Sequence, residues 1–460
     1  MNRRRFLKLA GLSLIGSHAS SPVWAQRTHS KPNVVLIMAD DLGYECLSCY
    51  GSSSYSTPNL DELARGGARF IHCYSQPLCT PTRVQIMTGR YNFRNYSQFG
   101  KLNQEEKTFG HMMKQAGYKT CVAGKWQLHA DGGQSPDQVG FDEFCLWALA
   151  YKGEVALGHR YADANLIVHD HETDRAKLNK FTGKYGPDIC TEYICDFVKR
   201  SVVQSQPFFV YYAMILTHNP FKPIPDSPEW KSGDRHQTHA KFFGGMVEYM
   251  DRLVGRIVSA LNQLGILENT LILFTGDNGT NGSIRSSMQD GRQIRGEKGY
   301  HTDGGTRVPL IAYWKGTILP SQVRNELVDT TDFLPTISDA THAEIPTPPG
   351  DGIIDGMSFL PHLTGRSGKA REWVFVGYTE KRQDSFGWPR ARFVRNQRYK
   401  LYDTYIRRQK KGDRVIEDRS GHMYDLEKDP LEEHPILPGA EGDALRSIRE
   451  KFQTVLKTHR

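Results

Sequence analysis

Cys79 lies in the segment of this chain with the clearest chemical potential, because its neighbours predict a cysteine at the start of a helix. Pro81 suits a first helical position, where its missing N–H removes no hydrogen bond, and Gly89 is a typical helix stop. Cys79 would therefore face the positive end of the helix dipole, with Arg83 one turn further on. This setting favours anions, although a lone cysteine is more often a small buried side chain.

Two pairs of oxygen-bearing side chains each follow an apolar run. Asp40 and Asp41 end one run, and Asp277 and Asn278 end another. A hard cation such as Ca²⁺ takes about 6–8 oxygen ligands, and adjacent buried carboxylates repel each other unless a cation lies between them. Taken alone, each pair is better explained as a helix cap or a turn.

Three basic side chains are further candidates for chemistry, and two of them follow apolar runs. Lys125 follows an apolar run in Gly124-Lys125-Trp126, which indicates a buried lysine rather than one at the surface. His218 ends another run, and a histidine there is a candidate for proton transfer, although a lone histidine is more often structural. Lys298 lies between two glycines and could hold an anion as a point charge.

The order of the elements predicts the fold class. Apolar runs at 33–39, 120–123, 208–216 and 271–275 are typical of buried strands in a mainly parallel sheet. Helical segments alternate with them, at 58–66, 108–117, about 187–203 and about 241–265. We therefore expect an α/β fold with a large, mainly parallel sheet flanked by helices. Ligands of such sheets collect at the carboxyl ends of the strands, where the polar clusters at Asp40, Lys125, His218 and Asp277 fall.

The last part of the chain has a different pattern. After a Pro/Gly-rich stretch at 345–352, short runs at 373–378, 391–394, 399–402 and 422–426 are typical of antiparallel strands, and a helix is predicted from about 444 to 456. We expect a catalytic α/β domain at 26–368 and a smaller C-terminal domain, with an antiparallel sheet and a helix, at 369–460.

The first 25 residues are typical of a signal peptide. Arg3, Arg4 and Arg5 precede an apolar stretch at 9–16, and Ala25 ends a cleavage site of small residues. The twin arginines predict export of the folded protein, cleavage near position 26 and a periplasmic location. Since the apolar stretch is too short to span a bilayer, we expect no stable membrane anchor after cleavage.

Charge and cysteine content exclude two classes of protein. The formal net charge of +8 falls to +4 without residues 1–25, which carry four basic residues and no acidic one. This excess is compatible with an anionic substrate but does not indicate nucleic-acid binding. Eight cysteines in 460 residues do not form a disulfide scaffold, and the lone Cys46-x-x-Cys49 does not predict zinc. One or two disulfides remain open.

Several of these motifs resemble those of the sulfatase family, within the alkaline phosphatase superfamily. The segment from Cys79 to Arg83, closed by Thr88-Gly89-Arg90, is similar to the family's C-x-P-x-R signature and its T-G-R ending. Gly124-Lys125-Trp126 resembles the G-K-W-H-L motif, and the segment from Lys298 to Arg307 resembles the K-x-x-x-x-E-G-G-x-R block, with Asp303 for the usual glutamate. The resemblance covers nearly the whole chain after residue 25.

The resemblance implies an arylsulfatase-like mechanism. A maturation enzyme oxidises Cys79 to Cα-formylglycine, whose hydrate attacks the sulfur of a sulfate monoester. His218 then gives a proton to the departing alcohol, while Lys125 and Lys298 neutralise the sulfate. The other residues implied are Arg83 beside the nucleophile and one Ca²⁺ per chain, bound by Asp40, Asp41, Asp277, Asn278 and the modified Cys79.

Gln127 departs from the family, which usually has a histidine there. A glutamine can hydrogen-bond the hydrate but cannot take its proton. We expect His129 to substitute, because positions 127 and 129 share a face if the segment is extended. Lys222 is a further candidate for contact with the substrate.

The leading interpretation is a calcium-dependent sulfatase that acts on a sulfated sugar or polysaccharide. A phosphate-ester or phosphonate hydrolase of the same superfamily is the alternative, but such enzymes usually have two metals and another nucleophile. A non-catalytic relative that binds sulfated glycans is a third reading. Substrate contacts are expected from residues 145–185, which include Trp147 and Arg160, and from 381–392, although ordinary loops fit equally well.

Overall fold

The computed structural model describes residues 31–147, 159–378, 389–408, 414–439 and 441–459. Within these ranges no helix is both long and apolar enough to cross a membrane. The predicted signal peptide at 1–25 lies outside the described residues, and so does most of the predicted substrate segment at 381–392.

The described residues contain two larger sheets and a short hairpin. In chain order the strands are β1 Asn33–Ala39, β2 Ala68–Tyr74, β3 Lys119–Lys125, β4 Glu143–Trp147, β5 Asn165–Asp170, β6 Arg175–Lys180, β7 Phe208–Ala213, β8 Thr270–Gly276, β9 Arg285–Ser287, β10 Gln293–Arg295, β11 Arg307–Tyr313, β12 Gln322–Asp329, β13 Val374–Gly377, β14 Arg390–Arg395, β15 Tyr399–Arg408, β16 Val415–Asp418 and β17 Met423–Asp425.

Helices flank the sheets. They are α1 Pro58–Gly66, α2 Cys79–Thr88, α3 Asn92–Asn95, α4 Phe109–Gln115, α5 Gly186–Val203, α6 Pro228–Lys231, α7 Phe243–Gln263, α8 Asp303–Thr306, α9 Phe333–Thr341, α10 Leu360–Thr364 and α11 Asp443–Thr458.

The main sheet has ten strands in the order β12-β2-β11-β8-β1-β7-β3-β4-β5-β6. The central strands β8, β1, β7, β3 and β4 are parallel, and β12 is parallel to β2. The remaining pairs, including β4 with β5 and β5 with β6, are antiparallel. This architecture confirms the predicted α/β class with a mostly parallel sheet.

The central strands form because both of their faces are buried. Along β1, Val35, Ile37 and Ala39 pack into one core, and the alternate residues, such as Leu36, pack into the other. The first core includes α5 and α7, and the second includes α2, α4 and α9. A strand that is buried on both faces is apolar throughout. For this reason the sequence pattern predicted β1 and β8 correctly.

Two predicted strands end at different places. β3 continues to Lys125, so this lysine ends the strand instead of following it. β7 ends at Ala213, and residues 214–217 connect it to His218. Within the predicted substrate segment 145–185, β5 and β6 form strands that extend the main sheet, not an ordinary loop, and contact of this segment with substrate stays a prediction. The exposed β6 carries basic residues, and an edge strand of that kind has no apolar signature.

The C-terminal residues form the predicted antiparallel sheet and helix. β13, β14, β15 and β16 follow one another, and β17 pairs with β15. Helix α11 packs on one face, where Phe452 meets Phe375 and Leu401. The other face packs against the main sheet around Tyr74 and Leu327. The domain boundary near residue 369 stays a prediction.

The cysteines do not form disulfides. All eight lie among the described residues, and all eight are free thiols. The disulfides left open by the sequence are therefore not present in the structure.

Gly124 fixes the end of β3 just before Lys125. Its φ is 103°, and a Cβ there would lie 1.8 Å from the Ala213 carbonyl oxygen of β7. Only glycine tolerates both the left-handed conformation and this close approach of two backbones.

We expect Gly124→Ala to lower the free energy of unfolding by about 3 kcal/mol or more, through strain at positive φ and separation of β3 from β7. Urea denaturation followed by circular dichroism measures this. Gly244→Ala in α7 is the matched control, because its Cβ would lie 3.6 Å from the Tyr55 ring, an ordinary contact. Equal stability of the two variants would contradict the packing described for β3.

Candidate active site

Charged residues converge at one edge of the main sheet. Strands β8, β1, β7 and β3 lie side by side and run parallel, so their carboxyl ends meet there. Asp277 follows β8, Asp40 follows β1, His218 lies beyond β7, and Lys125 ends β3. The predicted shared site therefore has a structural basis in the strand order.

Lys125 and Asp40 form a buried ion pair. The Lys125 Nζ donates to both carboxylate oxygens of Asp40 at 2.9 Å, and neither side chain is more than 1% exposed. Arg83 lies on the other side, with Nη2 3.7 Å from Asp40 Oδ1. An unpaired charge buried in this way would be strongly destabilising, so the carboxylate and its cations fix each other's position.

Asp41 is the second buried carboxylate. Its backbone adopts a φ of 60°, and its N–H donates to Asp277 Oδ1 at 3.0 Å. Its carboxylate accepts hydrogen bonds from Lys298 Nζ at 2.8 Å and from Asn278 Nδ2 at 2.9 Å. A left-handed aspartate is uncommon, and such backbone strain concentrates at functional sites.

Arg83 connects the nucleophile candidate to the third carboxylate. Its Nε and Nη2 both donate to Asp277 Oδ2, at 3.2 and 2.8 Å. Cys79 is the first residue of α2, two residues before the predicted helix start at Pro81, and it is buried. Arg83 is one helical turn after Cys79 on α2, and the N–H of Gly299, next to Lys298, donates at 2.9 Å to the carbonyl oxygen of Pro77, two residues before Cys79. The predicted convergence of Cys79, Arg83 and Lys298 is thus present.

The pKa values of the Asp40 and Asp277 carboxylates are shifted in opposite directions. Burial opposes ionisation of Asp40, but Lys125, with the other cations, holds its pKa well below the ordinary value. Burial and the Asp40 carboxylate raise the pKa of Asp277 to about 7, although Arg83 acts in the opposite direction. The carboxylates therefore compete for the available positive charge, and a further cation beside them would be favourable.

His218 is held as a neutral ring. Burial lowers its pKa to about 3, against the opposite effect of Asp41, and Lys298 and Arg160 add to the lowering. Its Nδ1 lies 2.5 Å from the Asn219 carbonyl oxygen, so Nδ1 carries the proton and donates. Nε2 then accepts from Lys298 Nζ at 2.9 Å. The ring atom that faces the carboxylates is therefore a proton acceptor.

Arg160 was predicted only as part of a substrate segment, and its contact with His218 was missed. Its Nη2 lies 3.1 Å from His218 Nδ1 and also donates to the Asn219 carbonyl oxygen. Its guanidinium lies over the Trp147 ring, 4.6 Å from the centroid. No sequence pattern joins residues 160 and 218, because loops from different strands bring them together.

Lys222 lies in the cavity next to this contact. The cavity has a volume of about 190 Å³ and is lined by residues that include Trp147, Arg160 and His236. Burial and Arg160 lower the pKa of Lys222, which donates to the His236 carbonyl oxygen. A cationic and aromatic pocket beside His218 suits an anionic sugar.

The argument that brought His129 to the site is wrong. Gln127 has a φ of 56°, so residues 127–129 are not extended and do not alternate as a strand does. His129 is exposed and forms an isolated bridge with Lys101. Gln127 itself is half-buried. The sequence did not show the turn because glutamine is an uncommon residue at positive φ.

The predicted ligand set fits a hard cation. Asp40, Asp41, Asp277 and Asn278 are all fully buried, and the Asn278 Oδ1 is buried without a hydrogen-bond partner. Ligand atoms of Asp40, Asp41 and His218 lie within 4.8 Å of one another. Since buried oxygens are normally paired, the Asn278 oxygen and the carboxylates beside it match what Ca²⁺ requires.

Comparison with known proteins gives the family. A family model described as Sulfatase matches residues 32–343, which is more than half of the chain. The chain belongs to the sulfatase family. A second model, described as N-sulphoglucosamine sulphohydrolase, C-terminal, matches residues 297–459. The protein is therefore a sulfuric ester hydrolase, as the sequence motifs predicted.

Individual relatives agree with this assignment. Arylsulfatase A of Homo sapiens is 31% identical over 91% of this chain and 86% of its own length. N-acetylgalactosamine-6-sulfatase of Canis lupus familiaris is 32% identical over 73% of this chain and 66% of its own. Among solved structures, Ps i-CgsB in complex with k-i-k-neocarrahexaose has a TM-score of 0.72 at 23% identity, covering 93% of this sulfatase and 92% of that chain. The last comparison concerns the fold alone.

The Lys125–Asp40 pair generates a stability prediction for this sulfatase. In the presence of a chelator, Lys125→Met leaves the Asp40 charge with less compensation, so we expect unfolding free energy to fall by about 3 kcal/mol. Urea denaturation measures the change. Lys119→Met, at the half-buried start of the same strand, is the matched control and is expected to change stability by less than about 1 kcal/mol. Similar losses in both variants would mean that the ion pair is not what stabilises the sheet edge.

Proposed function

We propose that this sulfatase removes sulfate groups from a sulfated sugar or polysaccharide, with a formylglycine formed from Cys79 and one bound Ca²⁺. The observation that carries the proposal is the convergence of Cys79, at the start of α2, with three buried carboxylates, two buried cations and the half-buried Lys298. Such a site neutralises a sulfate ester, whose oxygens otherwise repel a nucleophile.

Asp40, Asp41, Asp277 and Asn278 would hold the Ca²⁺, together with the modified Cys79. When bound, the ion supplies positive charge to the sulfate oxygens, and the aldehyde hydrate at position 79 supplies the nucleophile. The unpartnered Asn278 oxygen and the raised pKa of Asp277, caused mainly by burial, support this assignment.

The chain's own residues orient the ester and move its protons. Lys125 and Lys298 would bind sulfate oxygens from two sides, because both ammonium groups lie at the carboxylates. His218 Nε2 accepts from Lys298 Nζ at 2.9 Å, so the ring lies beside a lysine that would bind sulfate, where it would give a proton to the departing alcohol. The Asn219 carbonyl oxygen accepts from Nδ1 and holds the ring in this orientation, and Arg160 donates to the same carbonyl oxygen.

A glycan substrate is supported by the neighbourhood of His218. The cavity that contains Lys222 has aromatic and cationic walls. Sugars stack on aromatic rings, and their sulfate groups pair with guanidinium and ammonium groups. One relative, 32% identical, is named as an N-acetylgalactosamine-6-sulfatase.

Cellular location follows from the first 25 residues. We infer that the twin-arginine segment exports the folded enzyme to the periplasm, after a maturation enzyme has oxidised Cys79.

We expect Cys79→Ala to abolish hydrolysis of an aryl sulfate while the circular dichroism spectrum and melting temperature stay as in the wild type. The reason is that no other nucleophile is proposed at the site. Cys195→Ala is the control, because Cys195 is a half-buried thiol of α5 away from this edge of the sheet. Turnover by the alanine variant at the wild-type rate would overturn the formylglycine assignment.

Chelation is expected to lower both activity and melting temperature, since an ion that binds only the folded state stabilises it, by about 2.7 kcal/mol at a hundredfold excess over Kd. Calcium should bind more weakly as the pH falls below 7, because the proton on Asp277 competes with the ion. Calorimetric titration of chelated protein with Ca²⁺ at several pH values measures both.

Asp277→Asn should weaken binding of Ca²⁺, while Asp290→Asn, at an exposed aspartate that pairs with Arg292, should not. Two ions per chain would favour a phosphohydrolase instead, and full activity after exhaustive chelation would contradict a role for Ca²⁺ in the reaction.

A further inference from the structure

A large cavity lies between the β9–β10 hairpin and the C-terminal sheet. It has a volume of about 870 Å³ and is bounded by the hairpin, the start of β11 and the loops around Arg398 and Arg419. Seven arginines line it, against three carboxylates, those of Glu297, Asp303 and Glu427. We call this cavity the arginine groove. Its size is that of a ligand site, for which about 300–1,000 Å³ is typical.

Most of these arginines have carboxylate partners. Arg398 pairs with Asp425 at 2.7 Å, Arg419 with Glu417 at 2.6 Å, and Arg292 with Asp290 at 2.7 Å. Arg285 and Arg295 differ from them. Within the described residues neither forms an ion pair, and Arg295 donates only to the Gly282 carbonyl oxygen, at 2.9 Å. The positive charge of the groove is therefore least compensated on the hairpin.

The register of the hairpin makes this charge costly. Arg285 and Arg295 are directly opposite each other across β9 and β10, and both are exposed. Like charges at directly opposite positions of an antiparallel pair destabilise it. Strands of three residues have little pairing energy to offset this. An anion held between the two guanidinium groups would remove the repulsion and could accept hydrogen bonds from both.

The position of the groove next to the candidate active site indicates which kind of anion would bind between the two arginines. Glu297, on its wall, is the neighbour of Lys298, whose Nζ binds Asp41 in the candidate active site. Tyr44, also on the wall, comes three residues after Asp41 and carries the Arg307 guanidinium 4.1 Å from its ring centroid. The wall of the groove and the candidate active site are thus formed in part by adjacent residues of one segment, Glu297 and Lys298.

We propose that the arginine groove binds a second sulfate-bearing sugar of the same glycan chain, so that this sulfatase acts on an oligosaccharide or polysaccharide. The proposal rests on the proposed glycan substrate. Arg285 and Arg295, which face each other across the hairpin, bind the sulfate group. The reacting sulfate group stays at Cys79, and the groove contributes affinity and selects substrate length.

The test compares the affinities for a short and a long ligand. In a Cys79→Ala background, the dissociation constants of a heparin-derived disaccharide and hexasaccharide are measured by calorimetry, with and without Arg285→Gln and Arg295→Gln. We expect the double variant to lose about tenfold in affinity for the hexasaccharide, which is about 1.4 kcal/mol, and little for the disaccharide. Arg285→Gln alone should show a smaller loss of affinity for the hexasaccharide. This single variant replaces the double variant in the test if the double variant does not fold.

The control removes the same charge elsewhere. Arg446→Gln with Lys457→Gln changes exposed residues of α11, on the opposite face of the C-terminal sheet, and should leave the ratio of the two affinities unchanged. An unchanged ratio in the Arg285 and Arg295 variant overturns the proposal, and so does a loss of affinity for polyglutamate or RNA without a change in this ratio. Turnover of an aryl sulfate by the enzyme with Cys79 intact tests the sulfatase mechanism separately. Failure of the groove proposal can therefore be distinguished from failure of the proposed mechanism.

Discussion

The ion pairs between the carboxylates of Asp40, Asp41 and Asp277 and the cations of Lys125, Lys298 and Arg83 determine the geometry of the sheet edge. All six groups are largely removed from water, where a charge without a partner is strongly unfavourable. Each cation is therefore held where its carboxylate is, and each carboxylate is held by the end of its strand. Under the proposed mechanism, the same constraint that stabilises the fold brings positive charge to the position where the sulfate ester is neutralised.

The strand order and a few backbone positions make this cluster possible. Parallel pairing of β8, β1, β7 and β3 puts four strand ends side by side, and Gly124 allows β3 to approach β7 closely enough for Lys125 to reach Asp40. The left-handed backbone of Asp41 directs its N–H to Asp277. The same cationic character continues into the arginine groove, whose wall includes Glu297, and there Arg285 and Arg295 are exposed. The proposed active site and the proposed second binding site therefore share one loop.

Much of this arrangement was visible in the sequence, and the remainder was not for physical reasons. β1 and β8 are apolar throughout because both faces are buried, so the residues after them could be assigned to strand ends. β6 was missed because an exposed edge strand keeps charged residues and gains its position from pairing with β5. The turn at Gln127 was missed because its positive φ is set by tertiary contacts, not by residue type. The sequence predicted which residues carry charge, but not that Lys125 and Lys298 would bind carboxylates, since side-chain reach across strands leaves no local pattern.

An anomalous-diffraction map from crystals of the mature enzyme grown with CaCl₂ tests the central claim most directly. The account predicts one calcium peak per chain, bounded by oxygens of Asp40, Asp41, Asp277 and Asn278, with the side chain of residue 79 in the formylglycine form beside it. Two metal peaks, a peak elsewhere in the chain, or an unmodified Cys79 thiol in crystals of fully active enzyme would contradict the account.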